Sequence, residues 1–383
     1  MHEHRGASAI VGIAESDMGL VAQGLAPVDL MAQAVSRALA DCGLGLRDVD
    51  GVFAAATQLR TPTLTLCEYL GLKPAVHDAS NVGGSSFLFH LAHAHAALSE
   101  GRCEVAVIAY GSTQRSQGRA TLGSVAPNPH ETPFRPLLPV SAYALAAARH
   151  MHEFGTTREH LARVAVSARD WALLNPDAWE KTPLSVDDVL ASRMVSSPLT
   201  VRDCCLVTDG GGAIVMTRAE RAASLAQPPA YVLGHGGVLS HQNISQMPDL
   251  TVTGARESGR RAFAMAGMTP RDVQVAQLYD AFTINTILFL EDLGFCAKGE
   301  GGRFVADGHI APGGSLPTNT SGGGLSYGHP GMFGIFTLIE SVRQLRGAAG
   351  RRQVSGCTVA LAHGNGGVLS SQATVILGRR EAL

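Results

Sequence analysis

Two tyrosines and two histidines stand in glycine-rich surroundings that suit proton chemistry. Residues 319–342 read NTSGGGLSYGHPGMFGIFTLIESV: glycines, then Ser326-Tyr327-Gly328-His329, then Pro330 and an apolar helical pattern. Proline suits the first turn of a helix, where its missing N–H costs nothing. The order therefore predicts His329 at or beside a helix N-cap. Free N–H groups and the helix dipole there favour an anionic ligand and disfavour imidazolium. A neutral imidazole so placed can hold a carbonyl oxygen or pass a proton; the alternative is a histidine that only caps the helix.

Three further loops repeat this layout at strand ends. Asn81-Val82-Gly83-Gly84-Ser85-Ser86 precedes an apolar helix over 87–98. Tyr279-Asp280-Ala281-Phe282 follows the strand VAQL, and His363-Gly364-Asn365-Gly366-Gly367 follows TVALA. A tyrosine hydroxyl has an ordinary pKa of about 10, so as a base it needs a neighbouring donor or cation. His329 and His363 are the candidates, and Tyr279 reads alternatively as a core aromatic. Asp280 reads as a cap rather than a base. His90, His93 and His95 do not share one helix face, so no metal site is predicted. His235 and His241 read as a solvated glycine-rich turn. The glycine loops lack the residues of a Walker or Rossmann phosphate cradle.

These loops need strands and helices to hold them, and the chain supplies them twice. RALADCGLGLRDVD (37–50) matches RAFAMAGMTPRDVQ (261–274), with Gly43 opposite Gly267. VAVIAYGS (105–112) echoes VALAHGNG (359–366), and AIVMTR (213–218) echoes TVILGR (374–379). Each copy reads as a helix ended by glycine, a turn and a β run. Two similar βαβα units follow, each expected to carry a mostly parallel sheet covered by helices. Packed through shared helices, they give an α/β body of five layers, αβαβα. The expected boundaries are a first half over 1–112, an inserted loop domain over 113–197, completion of the first half over 198–225, and a second half over 226–383.

Composition fits this class. The 383 residues are 45% apolar and 16% charged, with 44 glycines and a formal net charge of −2. No basic block supports nucleic-acid binding, and no apolar run is long enough to span a bilayer. The first residues, MHEHRGASAIVGIAES, show no signal-peptide core, and seven scattered cysteines read as reduced thiols. A cytoplasmic setting is expected.

Five segments together resemble the thiolase superfamily, specifically its sterol-carrier/lipid-transfer-protein type. They are AIVGIAES, DCCLVTDGGGAIVMT (203–217), YDAFTINTILFLEDLGFCAKGEGG (279–302), NTSGGGLSYGHPG (319–331) and ALAHGNGG (360–367). The resemblance covers nearly the whole chain and implies the duplicated thiolase fold. It departs where chemistry is done. The nucleophilic cysteine of degradative thiolases falls at Gly84. The second cysteine falls at His363, and the asparagine of the NEAF-type loop falls at Tyr279. Only His329 stands as in the family. Ser85 and Ser86 are near, but serine needs a base to attack. Cys67 and Cys103 lie outside that context.

The pattern is similar to lipid-transfer-protein-like aldolases of steroid side-chain breakdown. That likeness implies retro-aldol cleavage of a 3-hydroxyacyl-CoA, with Tyr279, Tyr327, His329 and His363 as catalytic residues. Gly84, Ser85, Asn319, Gly323, Gly364 and Gly366 would line the coenzyme A thioester, which is a substrate; no covalently bound cofactor is implied. Arg115, Arg119 and Arg135 would meet its phosphates or remain solvated. A homodimer and a small zinc-ribbon/OB-fold partner are implied too. The alternatives are an acyl-CoA acyltransferase and a non-catalytic acyl-CoA-binding subunit.

Overall fold

The computed structural model describes residues 4–118 and 128–383. Chain order in the first half is β1 (Ser8–Glu15), α1 (Pro27–Cys42), β2 (Gly51–Ala54), α2 (Pro62–Leu70), β3 (Val76–Asp78), α3 (Ser86–Ser99) and β4 (Val105–Ser112). An excursion follows through α4 (Gln114–Gln117), α5 (Val140–Phe154), α6 (Arg158–Leu173), α7 (Val186–Ala191) and a ribbon of β5 (Met194–Ser196) and β6 (Leu199–Thr200). Strand β7 (Gly210–Arg218) returns to the first half, and the short α8 (Ala219–Ala222) leaves it. The second half runs β8 (Ala230–Leu239), α9 (Ala255–Ala266), β9 (Val275–Leu278), α10 (Thr283–Asp292), α11 (Gly301–Ala306), α12 (Gly334–Arg346), β10 (Val359–Gly366) and β11 (Ser371–Gly378).

Nine strands form one sheet in the order β3-β2-β4-β7-β1-β8-β11-β10-β9. Within the sheet, the halves meet where β1 and β8 pair, at Ala9 with Tyr231 and Ile10 with Ala230. Outward from that seam, β1-β7-β4-β2 is repeated by β8-β11-β10-β9. Even β3 has an echo, a parallel bridge from Ala276 to Thr318. The sheets are not mostly parallel, as the sequence suggested. Strand β2 runs parallel to β3 and β4, and β9 to β10. The other pairings in the nine-stranded sheet are antiparallel, because β7 and β11 each return directly beside the strand their own half has just laid down.

The layers follow from the helix faces. Helix α1 buries Leu30, Met31, Ala34, Val35, Ala38, Leu39 and Cys42, a stripe at helical spacing, against β1, β4 and β7. It stops at Gly43, whose φ of 75° suits glycine. Helix α9 covers β8 and β11 on the opposite outer face and stops at Gly267 with φ 64°. Helices α3 and α12 touch strands of both halves and form the middle layer. Among the described residues, no helix is long and apolar enough to cross a membrane.

Candidate active site

The middle layer brings the ends of β9 and of the loop before α12 together. Tyr279 leaves β9, and its hydroxyl lies 2.9 Å from His329 Nε2. The two rings meet edge to face, with Phe333 stacked against His329 at 6.1 Å. His329 is held at its backbone: its N–H donates to Thr208 Oγ1 at 3.0 Å, and its carbonyl accepts from Thr208 N at 3.2 Å. The next residues hang on Tyr110, whose hydroxyl donates to Pro330 O and accepts from Met332 N.

His329 is not at a helix N-cap, contrary to the sequence expectation. Gly331 takes φ 97°, so the chain cannot continue as helix from Pro330, and α12 starts only at Gly334. The imidazole is neutral for a different reason: burial lowers its pKa to about 4. Burial also pushes the Tyr279 phenol well above its ordinary range, and neighbouring Cys205, Tyr143 and Tyr110 push the same way. Neither group is charged near neutrality, yet they share one hydrogen bond.

Gly84 lies under the tyrosine. A Cβ at this position would meet Tyr279 Cε2 at 2.2 Å and Asn365 O at 2.7 Å. Its carbonyl also accepts from Gly334 N at 3.1 Å, which draws the start of α3 onto the start of α12. Tyr279 therefore fills the room that a side chain at residue 84 would need. Ser85 spends its hydroxyl on Ser371 Oγ at 2.6 Å, and among the described residues no basic side chain bonds it.

Asp280 caps the turn that precedes His329. Gly323–Tyr327 form a π-helical turn whose Gly324 N–H donates to Asp280 Oδ1 at 2.6 Å. Gly323 must be glycine, because φ is 61° and a Cβ would strike Asp280 Oδ2 at 2.1 Å. Burial raises the Asp280 carboxyl to about 7, against the pull of the turn's N–H groups. Asn319, at φ 55°, ties the same region to β9 by accepting from Leu278 N at 2.7 Å. Gly364 faces Leu88 and Ser85, and Gly366 faces Val82 O, so both glycines serve the close approach of β10 to the start of α3.

Two expected residues are elsewhere. Tyr327 turns away from Tyr279, and its hydroxyl donates to Glu15 Oε1 at 3.2 Å, beside the Glu15–Arg343 ion pair. His363 does not lie in a loop. It sits inside β10, opposite Thr374 of β11, and faces away from α3, on the side of α9 and α10. Its Nδ1 bonds Thr374 Oγ1 at 2.9 Å and its Nε2 bonds Gln372 Oε1 at 2.8 Å, so both ring nitrogens are occupied. Burial lowers this histidine to about 4 as well.

The remaining candidates also find places. His90, His93 and His95 turn to three separate partners, Ser80 O, Asp78 and Ser8. His235 lies in β8 against the His95 ring rather than in a turn, and His241 bonds Val368 O. Arg115 is exposed, stacked over Trp179 at 4.8 Å, and Arg135 is exposed nearby in sequence. Arg119 falls outside the described residues.

Tyr143 of α5 is a site neighbour that sequence reasoning missed. Its ring packs on Phe282 at 4.4 Å, and its hydroxyl donates to Gly367 O and accepts from Asn365 Nδ2. Burial pushes its phenol up to about 12. It falls in the stretch 113–197, which the sequence suggested as an inserted loop domain. A tyrosine amid the alanines of α5 was the available signal.

A duplicated sheet, with a buried Tyr–His pair where a helix-borne nucleophile has no room, defines an α/β enzyme body equipped for acid–base work. Residues 236–379 match the family described as "Thiolase C-terminal domain-like". The chain is 36% identical over 363 residues to the 17-hydroxy-3-oxo-4-pregnene-20-carboxyl-CoA lyase of Mycobacterium tuberculosis, covering 90% of this chain and 92% of that one. It is 40% identical over 241 residues to an acetyl-CoA acetyltransferase of Methanothermobacter thermautotrophicus, a match spanning 62% of this chain and 63% of that enzyme. The solved Ltp2-ChsH2(DUF35) aldolase superposes with a TM-score of 0.89 at 32% identity, over 99% of both chains. The chain belongs to the thiolase superfamily, on its branch of lipid-transfer-protein-like aldolases.

Proposed function

We propose that this enzyme cleaves a 3-hydroxyacyl-CoA by a retro-aldol reaction, releasing a short acyl-CoA and a ketone or aldehyde. The observation that carries the reading is the Tyr279–His329 hydrogen bond at 2.9 Å, in the room a nucleophile at residue 84 would occupy. Retro-aldol cleavage needs no nucleophile, because its net chemistry moves one proton from the 3-oxygen to C2. The substrate hydroxyl gives its proton to Tyr279 Oη as Tyr279 passes its own to His329 Nε2. The C2–C3 bond breaks, C3 becomes a carbonyl, and the electron pair enters the thioester as an enolate. The stored proton returns through Tyr279 to C2, which closes the cycle. The relay spares the phenol from ionising, which its burial opposes.

Coenzyme A thioester is then the substrate, with Gly84, Ser85, Asn319, Gly323, Gly364 and Gly366 forming the small-residue floor beneath it. The described part of segment 113–197 serves as the cover over that floor. A small zinc-ribbon/OB-fold subunit is the proposed partner, supported by the likeness to the Ltp2-ChsH2(DUF35) complex. A homodimer in the cytoplasm is the proposed state; β3, one of the two outer strands of the sheet, offers an edge for a second copy.

Mass spectrometry of the protein and its products tests the reaction. Incubation with a panel of branched 3-hydroxyacyl-CoAs is expected to yield acetyl-CoA or propionyl-CoA with an unmodified protein mass. An acyl adduct on the protein, with no carbonyl product, would point to the acyltransferase and overturn the reading.

A further inference from the structure

The turn against Tyr279 is held from β4. Tyr110 bonds the backbone on either side of Gly331, at Pro330 O and Met332 N. Gly331 O lies 3.5 Å from Tyr279 Oη. Just past the end of β4, Gln114 opens α4, and its side chain reaches this same turn. A Cβ at Gly331 would meet Gln114 Oε1 at 2.2 Å and Tyr110 Oη at 3.3 Å, so the carboxamide lies directly against the glycine. Gly331 and Gln114 are half-buried, whereas Tyr279 and His329 are buried. Solvent thus reaches the residue that touches Tyr279, and the Gln114 amide stands there.

The backbone around Gln114 is fixed while its amide is free. Thr113 N donates to Gln58 Oε1 at 2.9 Å, and the fully buried Asp209 accepts from Arg115 N at 2.8 Å and Ser116 N at 3.0 Å. Among the described residues, the Gln114 side chain has no hydrogen-bond partner. With Oε1 against Gly331, the two N–H donors of Nε2 remain to be used.

We infer that Gln114 is a substrate-binding residue whose Nε2 donates to the thioester carbonyl oxygen. The inference rests on the retro-aldol reading, in which Tyr279 and His329 are both engaged with the proton of the 3-oxygen. When the C2–C3 bond breaks, its electron pair passes through C2 to the thioester oxygen, and negative charge gathers there. A donor already in place at that oxygen binds more strongly as the charge grows. Gln114 keeps its own protons throughout, so the transfer from the 3-oxygen to C2 stays balanced.

Binding and turnover of the full chain test this. Hexanoyl-CoA is compared with hexyl-CoA, a thioether that lacks the carbonyl oxygen, by isothermal titration. The thioester is expected to bind about fivefold tighter, the worth of one hydrogen bond. Gln114→Met, similar in length and without a donor, should bring the two affinities to within about twofold of each other while leaving hexyl-CoA binding unchanged. It should also lower kcat for a 3-hydroxyacyl-CoA by roughly 10²–10³-fold, the usual worth of one such donor. Gln114→Ala is the second variant should the methionine protein not fold. A thioester preference that survives the substitution, or none in the unaltered protein, overturns the inference, as does turnover equal to that of the parent. If the unaltered protein cleaves no 3-hydroxyacyl-CoA, the retro-aldol reading fails, and the thioester preference still decides whether Gln114 holds the carbonyl oxygen.

Discussion

The two tyrosines that flank the chemistry in sequence differ in everything but burial. Tyr279 faces a neutral imidazole that burial holds near pKa 4, across one 2.9 Å bond. Tyr327 faces the Glu15 carboxylate, itself paired with Arg343, which also reaches Glu340 at 3.7 Å. Glu340 then pairs with Arg352 at 3.0 Å and accepts from Thr320. Both phenols are driven well up by burial, and Tyr327 further by Glu15. A hydroxyl beside a neutral imidazole can take a proton on one side and give one up on the other, so that the phenol itself never ionises. One locked into an ion-pair lattice pins β1, the π-turn and α12 together. In the proposed reaction the first is chemical equipment, while the second fastens β1 of one half to the turn and α12 of the other.

The largest expected effect separates them directly. Tyr279→Phe should lower kcat/KM for short acyl-CoA release by roughly 10²–10⁴-fold, the usual worth of a positioned acid–base group. Tyr327→Phe should leave kcat within a factor of about ten and lower stability by about 1 kcal/mol, the worth of one hydrogen bond. Steady-state rates alongside chemical denaturation of both variants decide it. If Tyr327→Phe costs more turnover than Tyr279→Phe, the comparison is reversed.

A gentler probe leaves the phenol in place and moves it. Gly84→Ala puts a methyl group where Tyr279 Cε2 would lie 2.2 Å away, so the ring must shift off His329. Overpacking of this kind costs about 1–3 kcal/mol, and a loss of turnover between about ten- and a hundredfold is expected. Gly45→Ala is the control, for that glycine takes an ordinary φ of −127° and a Cβ there meets nothing closer than Asp48 Oδ2 at 3.9 Å. It adds the same methyl group without touching the site. Equal turnover in the two variants would mean that the contact at Gly84 is not what positions Tyr279.

Much of this is legible in the amino-acid sequence. The repeat was readable because each copy ends its helix at a glycine, Gly43 or Gly267, where only a left-handed residue fits. Tyr279 and His329 stood out as candidates because polar side chains in glycine-rich loops at strand ends have few structural duties, and the structure brings the two together. Tyr327 misled because its direction depends on Glu15, 312 residues away, and on a π-turn held by Asp280. His363 misled because the strand was taken to stop at Ala362. It runs on to Gly366, and alternation then turns the imidazole away from α3.

The smallest expected effect concerns protonation. An unfolded chain binds a proton at His329 near 6.5, whereas the fold refuses it until about 4. The stability tied to a neutral His329 is therefore full above 6.5 and drains away as pH falls toward 4. Asp280 works in the opposite sense. The fold keeps its proton up to about 7 while the unfolded chain releases it near 3.8, so its contribution is full below 3.8 and lost as pH rises through 7. His329→Asn should flatten the acid loss of stability between pH 6 and 5 by up to about 1.4 kcal/mol per pH unit. Asp280→Asn, which keeps an acceptor for the Gly324 N–H, should steepen it by a similar amount. Tyr327→Phe should leave the slope alone, because that phenol titrates far above this window. Unfolding in urea at a series of pH values measures all three. If the histidine and aspartate variants run parallel to the parent, proton binding at the site is not linked to folding. The neutrality of His329, on which the contrast between the two tyrosines depends, would then lose its support.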